Sequence, residues 1–243
     1  MLEQLINSVH TKKARLDSLR PQITMALAEL QKQYDIELTY ASNAIEGNTL
    51  TLRETAEVIE HGISVGGKPL HDHLEATDHY NALLWMRDVA ATAAPIDDTT
   101  LCELHRRVVA RSQPEAAGRY SQFPRRIAGS AVIFPNPVKI PSLMMEFGAW
   151  LRAAPPTTDT AFDAHFRLTA IHPFSDGNGR TARLLMNLFL LRSGYPPMAI
   201  RPEDRKIYLD DLEHASVTDD MMPYRLFMYQ RLDATLDEYL RVV

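Results

Sequence analysis

Apolar residues recur at three- and four-residue intervals along most of the chain, the pattern of helices that bury one face. Leu2, Leu5, Ile6, Val9, Leu16 and Leu19 predict a first helix that Pro21 breaks. Ile23, Leu27, Leu30, Tyr34, Leu38 and Ile45 predict a longer one stopped at Gly47, and the two read as a packing hairpin. Thr51 and Glu54 have capping-box spacing and open a short helix closing at Gly62. A loop from Ile63 to Leu70, with Gly66, Gly67 and Pro69, divides an N-terminal helical segment, residues 1–70, from a core, 71–243, in two domains or one continuous one. Leu74 to Ala91 read as a helix with Leu74, Asn81, Leu84 and Trp85 inward. The next, capped by Asp97 or Asp98, carries Leu101, Leu104, His105 and Val108.

Between Gly118 and Lys139 the helical period disappears and glycines and prolines become dense. Arg126-Ile127-Ala128 and Ala131 to Phe134 are short β-capable runs, so this region predicts a hairpin turning near Gly129 and Ser130. Ser142 is expected to cap a helix through Trp150 and Leu151, ended by Pro155 and Pro156. Phe162, Phe166, Leu168 and Ile171 predict a helix with His172 at its C-terminal end. Thr181 to Ser193 predict another, ending at Gly194. Past the Tyr195-Pro196-Pro197 turn come a short helix with Ile207, Tyr208 and Leu212, and a last one from about Pro223 with Leu226, Leu232, Leu236 and Leu240. The fold class is mainly α.

Composition narrows the setting. Of 243 residues 45% are hydrophobic, enough for a sizeable core. The charges, 26 basic against 31 acidic, give a net of -5, which points away from nucleic acid and from anionic membranes as main partners. One cysteine, Cys102, excludes an internal disulfide framework and reads as a small apolar residue in a reducing compartment. The N-terminus lacks a signal-peptide pattern, and the longest apolar stretch, Leu184 to Leu191, is interrupted by Asn187 and too short to span a bilayer. The expectation is a cytoplasmic, soluble protein. His71, His73 and His79 match no metal-binding spacing and read as solvated residues at a helix start; His105 reads as a core-edge residue.

The chemistry concentrates in His172-Pro173-Phe174-Ser175-Asp176-Gly177-Asn178-Gly179-Arg180-Thr181-Ala182-Arg183. A glycine-containing loop feeding a helix N-terminus is an anion site, because unpaired N–H groups and the positive end of the helix dipole point the same way. Arg180 and Arg183, three apart, are expected to share a face and to hold phosphate oxygens in forked geometry. Asp176 can hold Mg²⁺ together with substrate phosphates, so the implied ligand is a nucleoside triphosphate with Mg²⁺. His172 is suited to taking a proton from an attacking hydroxyl. Phe174 reads as the anchor of the loop in the core. A Walker A string is absent, and an EF-hand loop fails because Arg180 stands where an acidic or amide ligand is required.

This run resembles the signature of the Fic family, HPFx(D/E)GNGRxxR, with every defining position filled. A second stretch, Ser42-Asn43-Ala44-Ile45-Glu46-Gly47, resembles that family's inhibitory motif, (S/T)xxxE(G/N), in the class whose inhibitory helix is N-terminal and in the same chain. Ser42 and Glu46 lie on one helix face, and a carboxylate at a helix C-terminus opposes the dipole and asks for a cationic partner.

The resemblance covers roughly Ile36 to the end and implies a Fic fold, a helical core with one β-hairpin flap. It implies transfer of AMP from ATP to a Ser, Thr or Tyr hydroxyl of a target protein laid along the flap at Ile127, Ala128 and Gly129. In that reading His172 is the base, Asp176 holds Mg²⁺, and Gly177, Asn178, Gly179, Arg180 and Arg183 bind phosphates, with the Asn178 side chain among the groups that grip them. Tyr208 resembles the position beside adenine, the alternative being a helix-surface aromatic. Glu46, aided by Ser42, would inhibit by occupying Arg183. Removal of AMP from a modified protein, with Glu46 orienting a water, and a catalytically idle module holding a peptide or nucleotide are the alternatives. A homodimer or self-modification stays open.

Overall fold

The computed structural model describes residues 1–19, 24–127 and 129–242; the expected break at Pro21, the helix start at Ile23, the side chains of Leu27 and Leu30 and the flap position Ala128 lie outside them. Among the described residues the chain is a stack of ten α-helices: α1 Leu2–Leu19, α2 Thr24–Ile45, α3 Leu52–His61, α4 Leu70–Ala90, α5 Asp98–Val108, α6 Ile140–Ala153, α7 Thr158–Ile171, α8 Asn178–Arg192, α9 Arg205–Thr218 and α10 Met222–Val242.

The centre is α8, buried without interruption from Arg180 to Leu190. A helix apolar on all sides needs neighbours on all sides, and α7, α4, α5 and α2 supply them. The one polar break in its apolar run, Asn187, pins the chain beyond the helix: its amide donates to Met198 O at 3.1 Å and its oxygen accepts from Met198 N at 2.8 Å. Val9 and Leu16 of α1 and Leu38 and Ile45 of α2 belong to the same hydrophobic core as the helices after residue 70. Lys12 ties α1 to α10 through Asp233 and Asp237, at 2.8 and 2.7 Å.

Local signals act as expected at several ends. Thr51 and Glu54 form both bonds of the capping box, and Gly62 closes α3 in the left-handed conformation. Asp97, not Asp98, caps α5 by accepting from Thr100 N.

Other expectations change. The helix beginning near residue 140 is entered through a 3₁₀ turn, Pro137–Lys139, capped by Asn136; Ser142 lies inside α6 and bonds back to Lys139 O at 2.9 Å. In α4 the inward face is Ala82, Leu83 and Met86, whereas Asn81 and Leu84 point out, because α5 and α8 pack one residue round from the assumed stripe. His73 and His79 are buried rather than solvated. His73 accepts from Val65 N and His79 bonds Thr39, and only His71 is exposed.

The region expected as a hairpin forms no strand ladder among the described residues. It carries a turn closed by Ser130 N to Ile127 O at 3.2 Å, with Gly129 at φ 81°. Among the described residues the one β-type contact is a bridge between Tyr120 and Phe174, which fastens the segment's entry to the motif loop. Prolines at 124, 135 and 137 remove donors a ladder needs.

Candidate active site

The loop between α7 and α8 is shaped by its own residues. α7 ends with His172 in the left-handed region, φ 50° and ψ 54°, its N–H donating to Leu168 O at 2.9 Å. That conformation costs a residue with a Cβ about 1 kcal/mol and turns the chain sharply at the histidine. Asn178 closes the loop. Its side-chain oxygen accepts from Phe174 N and its amide donates to Phe174 O, both at 2.9 Å. The Asn178 side chain is therefore engaged within the loop, contrary to the expectation that it grips phosphate. Gly177, at φ 73°, starts α8 with no side-chain cap, which leaves the first N–H groups of the helix without a side-chain acceptor.

Phe174 is fully buried and stacks on the ring of His105, centroids 3.7 Å apart. His105 is also fully buried, not at the core's edge. Its Nδ1 accepts from Gly118 N at 3.0 Å, which makes Nε2 the donor to Asp176 O, also at 3.0 Å. Burial holds this imidazole down at about 4, against the pull of Asp176, so it stays neutral and works as a strut beneath the loop.

Beside the loop lies a cleft of about 330 Å³. One wall is the α8 end with His172, Gly179 and Arg183. Opposite stands α9 with Arg205, Tyr208, Leu209 and Leu212, and the segment of Ile127, Gly129 and Phe134 forms the lip. Phe134 stacks on His172 with ring centroids 4.0 Å apart. Burial keeps His172 below the ordinary histidine value, while a hydrogen bond to the Thr169 backbone and the Glu46 carboxylate act the other way. The net result is a neutral ring at neutral pH, able to accept a proton.

Glu46 is also in the cleft. Its Oε1 accepts from Arg183 Nη2 at 2.7 Å, and Ser42 engages the same guanidinium through Oγ to Nε, 2.9 Å, and through its carbonyl to Nη2, 2.8 Å. The carboxylate lies so close over the first turn of α8 that a Cβ on Gly179 would collide with it. Burial works against the charge of Arg183, but Glu46 and the Tyr208 hydroxyl outweigh it, and the net shift is upward. Tyr208 is buried, not a surface aromatic; its hydroxyl bonds His165 Nε2 at 2.9 Å, and His165 Nδ1 meets the Tyr224 hydroxyl at 2.8 Å.

The two arginines do not share a partner or a space. Arg180 is buried away from the cleft, bonded to Glu75 Oε1 at 2.6 Å and Asp176 Oδ2 at 3.0 Å. Three residues on a helix separate two side chains by about 60° of arc, enough here to send one to α4 and the other to α2. Asp176 Oδ2 also accepts from Gln113 Nε2. The Asp176 side chain is 42% exposed, which suits a single protein ligand to a cation whose other ligands are waters and phosphates. Among the described residues no group of three or more acidic, histidine or cysteine side chains could hold a metal alone.

Four residues that motif reasoning did not single out shape the site. Glu75 accepts from Arg180 through one oxygen and from Asn48, two residues past Glu46, through the other at 3.0 Å. Gln113 orients Asp176, Arg205 Nε donates to Ile45 O at 2.7 Å, and Glu213 accepts from Ala131 N at 2.9 Å. None stands in a spacing that distinguishes it from a solvated polar residue, so no sequence signal marks them.

The profile of the Fic/DOC family matches residues 95–190, the stretch that contains the loop, α7 and nearly all of α8. Residues 95–190 form a Fic/DOC family domain. The chain is 34% identical to protein adenylyltransferase Fic of Nematostella vectensis over 98% of this chain and 56% of that protein. It is 34% identical to the Aedes aegypti protein of the same name over 98% and 49%. The chain thus spans about half the length of the curated relatives it matches. Among solved structures, Fic-1 of C. elegans superposes with a TM-score of 0.90 at 29% identity, covering 98% of this chain and 72% of that one. A Fic domain containing signaling protein of Bacteroides thetaiotaomicron does so at 0.88 and 28%, covering 97% and 96%. The mainly helical architecture is thus a Fic fold, in which the domain's signature loop faces the cleft and α2 brings Glu46 to it.

Proposed function

We propose that the chain is a protein adenylyltransferase that moves AMP from Mg-ATP to a hydroxyl of a target protein and is restrained by its own Glu46. The observation that carries this reading is the 2.7 Å ion pair of Glu46 with Arg183 inside the cleft lined by His172. A buried guanidinium beside free helix N–H groups is a phosphate site, and here a carboxylate occupies it. In this reading residues 1–70 are the regulatory segment and 71–243 the catalytic core.

Once Glu46 withdraws, Arg183 and the N–H groups of Gly177, Asn178 and Gly179 receive the β- and γ-phosphates. Arg180 acts one step back, holding Asp176 in place. Asp176 would hold Mg²⁺ against the phosphates, where the ion would offset charge on the departing pyrophosphate. A Ser, Thr or Tyr hydroxyl attacks the α-phosphorus in line and neutral His172 takes its proton as the bond to pyrophosphate breaks. Tyr208, Leu209 and Leu212 offer the apolar wall for the base. The target segment lies along the lip, where the described backbone forms no ladder and, apart from groups already bonded such as the Ala131 and Val132 N–H, is offered to an extended chain. Most of the barrier reduction comes from positioning and electrostatics.

Among the described residues no helix is long and apolar enough to cross a membrane. The single, partly buried Cys102 supports a reducing compartment such as the cytoplasm. The test is incorporation of labelled AMP: wild type near background, Glu46→Gly raised, and Glu46→Gly with His172→Ala abolished. A Glu46→Gly protein that binds Mg-ATP yet labels neither itself nor any lysate protein overturns the proposal.

A further inference from the structure

Acidic residues number 31 in 243, so a window of thirty residues holds about four at average density; residues 116–145 hold none. The same window contains Arg119, Arg125, Arg126 and Lys139, all exposed. In a chain of net charge -5 this is a local reversal of sign. It coincides with the lip of the cleft, since Ile127, Gly129, Ser130, Val132 and Phe134 line it and Arg119 adjoins the bridge from Tyr120 to Phe174. Arg125 is near enough to His172 for its charge to add to the effect of burial on the ring.

Most other cations around the cleft are neutralised: Arg106 and Arg107 by Glu103, Arg111 by Asp78, Arg180 and Arg183 by Glu75 and Glu46, whereas Arg205 on the opposite wall donates to the Ile45 carbonyl. At the lip, Arg125 Nε meets only the uncharged Ser121 Oγ, at 3.3 Å, and among the described residues Arg119, Arg126 and Lys139 form no ion pair. Between them Phe123, Ile127 and Ile133 are 70, 51 and 83% exposed. Unpaired cations interspersed with exposed apolar side chains, on a segment with no strand ladder whose Ala131 and Val132 N–H groups are held by Glu213 and Ser130, form an edge suited to an anionic, partly apolar strand.

We infer that this lip selects target segments carrying acidic residues beside the modified hydroxyl, with apolar residues at alternate positions. The identity of the hydroxyl as acceptor rests on the adenylyl-transfer reading; the charge preference of the lip does not. Side chains on one face of an extended segment recur every second residue, so a carboxylate two places from the hydroxyl faces the same side as it does. A nucleic acid is disfavoured because the acidic remainder of the chain repels a long polyanion.

The test uses labelled peptides with one apolar core and a threonine flanked by glutamates, lysines or alanines, measured by anisotropy for binding and by AMP incorporation for transfer, on the Glu46→Gly protein. Glutamate peptides are expected to bind about ten-fold tighter than lysine peptides at low ionic strength, the difference shrinking in molar salt, since exposed ion pairs are individually weak and screened. Arg126→Glu, and Arg125→Glu with Arg126→Glu, should reverse the ranking. Equal binding of the three peptides, an unchanged ranking in the charge-reversed variants, or stronger competition by a single-stranded oligonucleotide than by the glutamate peptide overturns the inference. Ranked, reversible binding without any AMP transfer leaves the lip's preference standing and overturns the adenylyltransferase reading instead.

Discussion

Removing the Glu46 carboxylate should change stability and activity together, because one interaction underlies both. The Arg183 side chain is 5% exposed and that of Glu46 36%. At their 2.7 Å separation, an effective dielectric of 20 gives a ceiling of about 6 kcal/mol. Partial exposure of Glu46 screens this toward the range of hydrogen bonds to charged groups, about 1 to 3 kcal/mol. In Glu46→Ala, Arg183 keeps Ser42 Oγ and the Ser42 carbonyl but loses its counter-charge. The ligand-free variant should therefore melt lower, by roughly 2 to 4 °C per kcal/mol for a chain of this size.

The same free energy no longer competes with the γ-phosphate, so Mg-ATP affinity and AMP transfer should rise about 5- to 150-fold. Mg-ATP should then raise the melting temperature of the variant more than that of the wild type. Thermal melts with and without Mg-ATP, beside AMP incorporation, measure both sides; Glu46→Gly, run in parallel, shows how much backbone freedom adds. The reasoning fails if the alanine variant melts with the wild type and transfer does not rise, or if affinity for Mg-ATP is unaltered while stability falls.

Three further outcomes follow from the geometry. The His172 ring titrates below the ordinary histidine value because it is buried, so the acid limb of kcat/KM in the released enzyme should have its midpoint below pH 6.5; a midpoint above it contradicts the buried, neutral base. His79 and His165 are held at about 3 and His105 at about 4 by burial. The unfolded chain takes up those protons near pH 6.5 and the folded one does not, so stability is full above 6.5 and falls as pH drops toward 4, by up to about 1.4 kcal/mol per pH unit for each group. Denaturant midpoints that stay level from pH 7 to pH 4 would contradict it. Finally, His105→Phe keeps a ring against Phe174 but leaves Gly118 N–H and Asp176 C=O unpaired. About 1 to 3 kcal/mol of stability should be lost per group, and kcat should fall with the loop's order, read by urea melts and single-turnover labelling.

Much of the site was legible before any coordinates, and the reasons are local. Gly177 and Gly179 mark a backbone that must turn and come close to another group, and both do so, the second against Glu46. His172 ends α7 because the apolar spacing of Phe162, Leu168 and Ile171 stops there. The Ser42 and Glu46 face was readable from a four-residue interval, and a carboxylate opposing a helix dipole required a cation. The extended segment was misjudged because β-capable side chains specify a strand only where a partner strand exists. Here Glu213 and Ser130 Oγ take the Ala131 and Val132 N–H groups that a ladder would have used. The burial of His73 and His79 has no signal in their spacing, because it comes from α2, α3, α5 and α8 packing around α4.

The sequence by itself determined the helices, the loop that exposes helix N–H groups, and the placing of His172 and of the two arginines around it, since periodicity, glycine and side-chain chemistry act over a few residues. Only the tertiary structure decided what each charge does. Arg180 and Arg183 are alike in type and neighbours in the chain, but one faces Glu75 on α4 and the other Glu46 after α2. Spacing sets the direction in which a side chain leaves its helix; which carboxylate waits there depends on elements more than a hundred residues away, brought into place by the burial of α8.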